Sequence, residues 1–442
     1  MSVLRVILVT GCFVAAVAAT AEARPLLMIS VDGLRPGDVL DAGKRGLKIP
    51  VLRELAEDGM AASGVRNVLP TVTYPNHTTL ITGVFPSRHG IANNVTFDPK
   101  RQNMDGWYWY ARDIKVKTLW DAVHAHGGKV ASLSWPVSVG AAGIDYNIPE
   151  YWRAHNAEDM KLVTALSTPG LVDEMQKATG LPLAKADGDS VEADTGRLRY
   201  AAALIAARHP EFTTVHLRAL DHVEHETGPG SKESNAALES LDRAIGETVA
   251  AARKASPDLA VAIVSDHGFS PVEHDINLIA PFVQAGLISL DAKGKVTSWQ
   301  AEPWGGASVA VVLADPKDDA VKAKVAKLLK DLAARPELGI AEVADAGAIA
   351  KMGGTPMASF WIDFKPGYTM GNDPSKPAVS PGTVKGNHGY FPTQPNMRAT
   401  FILEGSSIAK KSLGEIDMRD VAPTLAKVMD VPFPGSDGKP LL

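Results

Sequence analysis

Three short apolar runs in this chain each lead straight into an aspartate: Leu26–Val31 into Asp32, Thr213–Leu220 into Asp221, and Ala260–Ser265 into Asp266. Runs of this kind, bounded and nearly continuous, suit strands buried on both faces of a sheet. Amphipathic stretches lie among them, including Val51–Gly59, Thr118–Gly127 and the long Glu233–Ala255, with apolar positions at helical spacing. Strands alternating with helices predict an α/β fold, a mostly parallel central sheet with helices on both faces. Lys129–Trp135 and Ala399–Leu403 supply further candidate core strands. From about Pro271 to Lys385 the texture changes. The strand Ala307–Leu313, the helix Asp318–Ala334 and the strand Ala358–Phe364 read as a small α+β lobe inserted into that core, spanning roughly 271–385.

An aspartate at a strand end is often only a helix cap. In open parallel sheets, however, ligands bind outside the carboxyl ends of the strands. Three carboxylates gathered there repel one another unless a positive charge sits between them. Histidines accompany them: His225 follows Asp221 by four residues, His267 adjoins Asp266, and His388 sits in Gly386-Asn387-His388-Gly389. Carboxylate oxygen and imidazole nitrogen without sulfur suit a catalytic zinc or a similar divalent ion. Between Asp32 and Asn94 lies the segment Leu69–His77, in which Pro75 fits the first turn of a helix running to about Thr82. Thr73 then falls just before a helix N-terminus, where unpaired N–H groups favour an anion. The same position also suits a plain N-cap threonine. Asn76 and His77 are expected to fix the turn and the helix start.

Composition narrows the chemistry. The sole cysteine is Cys12, so no internal disulfide and no sulfur-ligated metal is available. Met1–Ala23 has Arg5 ahead of an apolar run from Val6 to Ala19, then Ala21-Glu22-Ala23, the pattern of a secretory signal cleaved after Ala23. A transmembrane anchor would need about 20 apolar residues, and a lipoprotein signal around Cys12 would lie too close to Arg5. Cleavage removes the cysteine and predicts an exported protein, periplasmic or secreted, with no remaining membrane span. The formal net charge of -5 argues against a stable nucleic-acid partner.

VDGLRP at 31–36, PTVTYPNHTTLITGVFPSRHGIANN at 70–94, LDHVEHETGP at 220–229, SDHGF at 265–269 and GNHGY at 386–390 occur in this order. With weaker matches in SWPVS at 134–138 and RDVAPTLAKVM at 419–429, they make the chain resemble the nucleotide pyrophosphatase/phosphodiesterase family of the alkaline phosphatase superfamily. The resemblance implies one alkaline phosphatase-like catalytic domain over 24–442 and two zinc ions. One would be held by Asp32, Thr73, Asp266 and His267, the other by Asp221, His225 and His388. It makes Thr73 the nucleophile, forming a phospho-threonine intermediate, with Asn94 and the Thr73 N–H stabilising charge on the phosphoryl group. The implied substrate is a small-molecule phosphodiester or nucleotide.

Nucleotide-cleaving relatives stack the base on aromatic residues, and Tyr74 matches the one just after the nucleophile. His155 and His216 fall where tyrosines stand in those relatives, with Trp152 as a rival stacker. His222, Glu224 and Glu226 fall at positions the family does not use for metal, and the trio Trp107-Tyr108-Trp109 reads as packing or as a pocket rim. A phosphomonoesterase of the same fold is the main alternative, disfavoured because no Lys-x-Arg pair is present and Arg153 and Lys161 are the only cations nearby. A non-catalytic exported phosphate- or metal-binding protein is a further alternative. Threonine at position 73 excludes a sulfatase that matures a cysteine there.

Overall fold

The computed structural model describes residues 24–442, apart from 101, 104, 105, 155 and 372. The segment 1–23, expected to be a signal, lies outside the described residues. Among the described residues no helix is long and apolar enough to cross a membrane.

An eight-stranded sheet forms the centre, in the order Lys411–Asp417, Met60–Arg66, Phe401–Glu404, Ala260–Val264, Leu26–Val31, Phe212–Leu217, Val130–Leu133 and Tyr146–Ile148. Its neighbours pair in parallel except on both sides of Phe401–Glu404, which runs against the rest. Both faces are apolar, as a buried parallel sheet requires. Along Leu26–Val31 alternate residues enter opposite cores. Leu27, Ile29 and Val31 pack with Leu52, Leu204 and Ile245 from helices Pro50–Asp58, Val191–Arg208 and Lys232–Ala255. Leu26 and Met28 pack with Leu80, Trp120 and Leu425 from helices Thr73–Thr82, Leu119–Ala125 and Val421–Val428.

A second, antiparallel sheet runs in the order Ala301–Gly305, Ser308–Leu313, Ala358–Phe364, Ile340–Asp345. Helix Asp319–Ala333 covers it through Val325, Leu329 and Leu332. A small third sheet is built on Ser270–Ile276, the strand that leaves the turn at Asp266–Gly268, and it also holds Gly386–Asn387, next to His388.

The strand expected over Thr213–Leu220 ends at Leu217, and a helix spans Ala219–Thr227. Asp221 therefore lies in the first turn of a helix, not at a strand terminus. The cause is Asp194 on the neighbouring helix, fully buried, whose carboxylate accepts the N–H groups of Arg218 at 3.1 Å and Ala219 at 2.8 Å and pairs with Arg197. Capping by an acidic side chain satisfies donors that a helix start leaves unpaired. Asp194→Ala uncaps this helix and strips a partner from buried Arg197, so we expect a loss of about 3–5 kcal/mol, read from urea unfolding. Wild-type stability in that variant would remove Asp194 from the account of how Asp221 is placed.

Candidate metal centre

Strands Leu26–Val31, Phe212–Leu217 and Ala260–Val264 are in register, Ser30 lying opposite both His216 and Val264. Their carboxyl ends therefore deliver Asp32, the Ala219 helix and the Asp266 turn to one edge of the sheet. Gly33, at φ +76°, turns the chain immediately after Asp32 and donates its N–H to Asp266 Oδ1 at 3.3 Å. Gly268 follows His267 where a Cβ would stand 2.0 Å from the Asn396 carbonyl oxygen, so the turn admits only glycine.

Two groups of ligand atoms result, each with all its atoms within 4.8 Å of one another: Asp32, Asp221 and His267, and Asp221, His225 and His388. Asp221 belongs to both. Its Oδ2 lies 3.5 Å from His225 Nε2 and its Oδ1 lies 3.5 Å from His388 Nε2. The four-residue spacing of Asp221 and His225 places both on one helix face. Asp266 joins the first group, with Oδ2 at 3.0 Å from His267 Nε2. The sequence expectation thus gathers at one place, with Asp221 bordering both groups rather than one.

The histidines are set for metal binding by their other ring nitrogens. His225 Nδ1 faces the Gly386 carbonyl at 2.9 Å, His267 Nδ1 that of Gly268 at 3.2 Å, and His388 Nδ1 that of Thr71 at 3.1 Å. A carbonyl can only accept, so each Nδ1 carries hydrogen, and each ring, once neutral, turns its Nε2 lone pair into the cluster. Opposite these rings, Asp32 Oδ1, Asp221 Oδ1, Asp266 Oδ2 and His267 Nε2 are buried without any hydrogen bond. Orphaned buried acceptors in such density are costly, and a divalent cation is the charge that satisfies them.

The buried acids and imidazoles shift one another strongly: burial works to lower His267, but Asp266 outweighs it and holds that ring above its ordinary range. Burial, followed by the charges of Asp266 and Asp221, holds the Asp32 carboxyl well above its ordinary range. Burial and the neighbouring His267 and His225 rings hold His388 well below its own. Burial likewise pushes Asp266 up, but His267 and His77 outweigh it and hold that carboxyl low. The donor set of carboxylate oxygen and imidazole nitrogen fits zinc or a related ion.

Helix Thr73–Thr82 begins one residue earlier than expected: Thr73 is its first residue and Val72 its N-cap. The side chain of Asn76 does the anchoring, donating to the Pro70 and Val72 carbonyls at 2.9 and 2.8 Å and accepting from Val68 N–H at 3.0 Å. His77 ties this turn to the cluster. Its Nδ1 lies 2.9 Å from the Thr73 carbonyl oxygen and 3.5 Å from Asp266 Oδ2, while its Nε2 contacts Ser30 Oγ at 2.9 Å. Asn94 Oδ1 accepts the Tyr74 N–H at 2.8 Å, which turns the Asn94 Nδ2 away as a spare donor. Pro75 has no N–H, so the first turn is left with the Thr73 N–H for an anion.

The expected base-stacking residues fare differently. Tyr74 is 0% exposed: its ring packs against Trp107 and Trp109, and its hydroxyl donates to Glu150 Oε1 at 2.6 Å. His216 is 1% exposed and spans Asp32 and Glu150. Neither offers an exposed ring face in this structure; each is committed to a buried hydrogen-bond network. Trp152 is half-buried against Trp107, with ring centres 4.4 Å apart, and His155 lies outside the described residues. Of the aromatic trio at 107–109, Trp107 and Trp109 pack around Tyr74. His222 pairs with Glu226 at 3.5 Å, while Glu224 is buried beside Arg35. Sequence reasoning missed Glu150 and Asp194 altogether. A histidine inside the apolar run FTTVHL was the one available signal that a buried acid must face it.

Fold and site together define an alkaline phosphatase-like α/β protein with a candidate His/Asp metal-binding cluster beside a helix-borne threonine. The chain belongs to the type I phosphodiesterase / nucleotide pyrophosphatase family, whose profile matches residues 26–391. It is 27% identical over 260 residues to mouse ectonucleotide pyrophosphatase/phosphodiesterase family member 1, a match covering 56% of this chain and 24% of that protein. It is 25% identical over 263 residues to the venom phosphodiesterase of Macrovipera lebetinus, covering 57% of this chain and 26% of the relative. The chain thus spans about a quarter of the length of these curated relatives. An uncharacterized pyrophosphatase/phosphodiesterase of Schizosaccharomyces pombe is 24% identical over 430 residues, covering 93% of this chain and 78% of that one. Among solved structures, human ectonucleotide pyrophosphatase / phosphodiesterase 5 shares the fold with a TM-score of 0.66 at 18% identity, covering 94% of this chain and 97% of that one. The murine protein, as an inactive threonine-to-alanine variant in complex with AMP, superposes equally well, with a TM-score of 0.66 and the same coverage.

Proposed function

We propose that this chain is an exported two-zinc phosphodiesterase that hydrolyses phosphodiester or phosphoanhydride bonds of nucleotides or similar small molecules through a phospho-threonine intermediate. Residues 24–442 act as one catalytic domain, with the antiparallel sheet as its inserted lobe. The observation that carries this reading is Thr73 at a helix start that His77 ties directly to Asp266 of the ligand cluster. Asp32, Asp266, His267 and the Thr73 hydroxyl would hold one ion, and Asp221, His225 and His388 the other. Bound zinc would favour the alkoxide of Thr73 and neutralise phosphoryl oxygens.

Thr73 Oγ1 attacks phosphorus as the bond to the first alcohol or nucleotide breaks. The Thr73 N–H and Asn94 Nδ2 donate to a phosphoryl oxygen as its charge grows. Water then cleaves the phosphorus–threonine bond and releases the second product. Two adjoining cavities, of about 580 Å³ beside Asn387 and about 310 Å³ beside Asn93, share Gly305 and border the segments that carry His388 and Asn94, and half-buried Trp152 is a remaining stacker. A nucleotide substrate is supported by the AMP complex of the murine relative.

The cations available for a dianionic monoester are poor: Lys161 is exposed and paired with Glu158 at 2.8 Å, and Arg153 is exposed. We therefore expect kcat/KM for bis(p-nitrophenyl) phosphate to exceed that for p-nitrophenyl phosphate by about 10-fold or more, the consequence of one missing charge-assisted contact. A preference for the monoester would replace this reading with a phosphomonoesterase, and no turnover of either ester by zinc-loaded protein would favour a binding protein.

A further inference from the structure

We propose that Glu150 and His216 are positioning residues for the metal centre, a buried clamp that holds Asp32 and the residue after the nucleophile in fixed relation. The inference rests on the proposed two-zinc reading. His216 Nε2 lies 3.0 Å from Asp32 Oδ2, and its Nδ1 lies 2.9 Å from Glu150 Oε2. Glu150 Oε1 accepts the Tyr74 hydroxyl at 2.6 Å, and Tyr74 adjoins Thr73. All four side chains are at least nine-tenths buried.

Three consequences follow from that geometry. With Oδ2 engaged by His216, Asp32 is left with Oδ1 for a metal, and this is the oxygen that has no hydrogen bond and stands 3.3 Å from His267 Nε2. His216 also packs edge-on against His77, ring centres 4.3 Å apart, and His77 holds the Thr73 carbonyl. The clamp therefore reaches the nucleophile's helix by two routes, through His77 and through Tyr74. Glu150 follows Tyr146–Ile148 at the far edge of the sheet, so the clamp also fixes that edge to the centre. Outer partners of this kind set a ligand's orientation and basicity. A purely structural Glu150 would only neutralise Arg218, whose nearest approach is 3.9 Å and which has closer partners in Asp187 at 2.7 Å and Asp189 at 3.1 Å.

The test is chelator competition on the full-length, zinc-loaded protein, following release of each ion, with cobalt substitution as a spectroscopic check. Glu150→Gln keeps the shape and removes the charge. We expect it to weaken one ion by about 10- to 100-fold, leave the other unchanged, and lower kcat more than it alters KM. Tyr74→Phe removes one donor to Glu150 and should loosen the same ion by about 2- to 10-fold. Wild-type affinity for both ions in the two variants overturns the clamp, as does equal loss of both ions with a lowered melting temperature. If Glu150→Gln does not fold, Tyr74→Phe decides alone. Wild-type protein that binds no zinc overturns the proposed function, and the clamp with it.

Discussion

Thr73→Ala is expected to reduce turnover of bis(p-nitrophenyl) phosphate by about a thousandfold or more while zinc content stays at the wild-type level. The loss is large because, in the proposed mechanism, the hydroxyl is the attacking group. The change should spare the fold. Val72, not Thr73, is the N-cap, and no side-chain capping bond is lost, since Asn76 fixes the turn. Alanine is also the better helix former. Metal content is expected to persist because three side-chain ligands remain in that group. Thr73→Ser restores a hydroxyl in the same place and should recover activity. Measured turnover near wild type in Thr73→Ala would sink the nucleophile assignment, whereas loss of activity together with loss of metal would recast Thr73 as chiefly a ligand.

How much of this was legible in the sequence differs between the parts of the site. The clustering of the candidate ligands was legible because carboxylates after apolar strands and adjacent histidines are chemically anomalous in an apolar context. Asp32 and Asp266 fall where the strand pattern puts them. Asp221 was displaced into a helix by Asp194, a residue whose effect depends on contacts across 24 and 25 positions and has no local signature. Helix Thr73–Thr82 was foreseeable from Pro75, but its first residue depended on the side chain of Asn76. The substrate residues were not legible. A tyrosine or histidine at an apolar position reads equally as a stacking surface or a buried hydrogen-bonding ring, and only the third dimension supplies Glu150, which makes Tyr74 and His216 the latter. The register pairing Ser30 with His216 also sets His216 against Asp32, and register is a tertiary fact.

Asp221 should prove the least replaceable of the ligands. Its two oxygens face His225 and His388 at 3.5 Å each, and it lies within 4.8 Å of the ligand atoms of Asp32 and His267 as well. Asp221→Ala leaves the His225/His388 group with two neutral imidazoles and no anionic donor, and also removes a negative charge from beside the Asp32/His267 group. Divalent ions draw much of their affinity from anionic ligands, and ligands in one network do not contribute additively. His225→Ala, by contrast, leaves its group one carboxylate and one imidazole and leaves the other group intact. We therefore expect Asp221→Ala to empty one site, loosen the other and cut turnover by about a thousandfold or more, with His225→Ala losing one ion and less activity. Metal analysis after gel filtration, paired with turnover at saturating zinc, separates the two variants. Equal metal content in Asp221→Ala and wild type, or a larger loss in His225→Ala, would mean that Asp221 does not couple the two groups and that each ion is held independently.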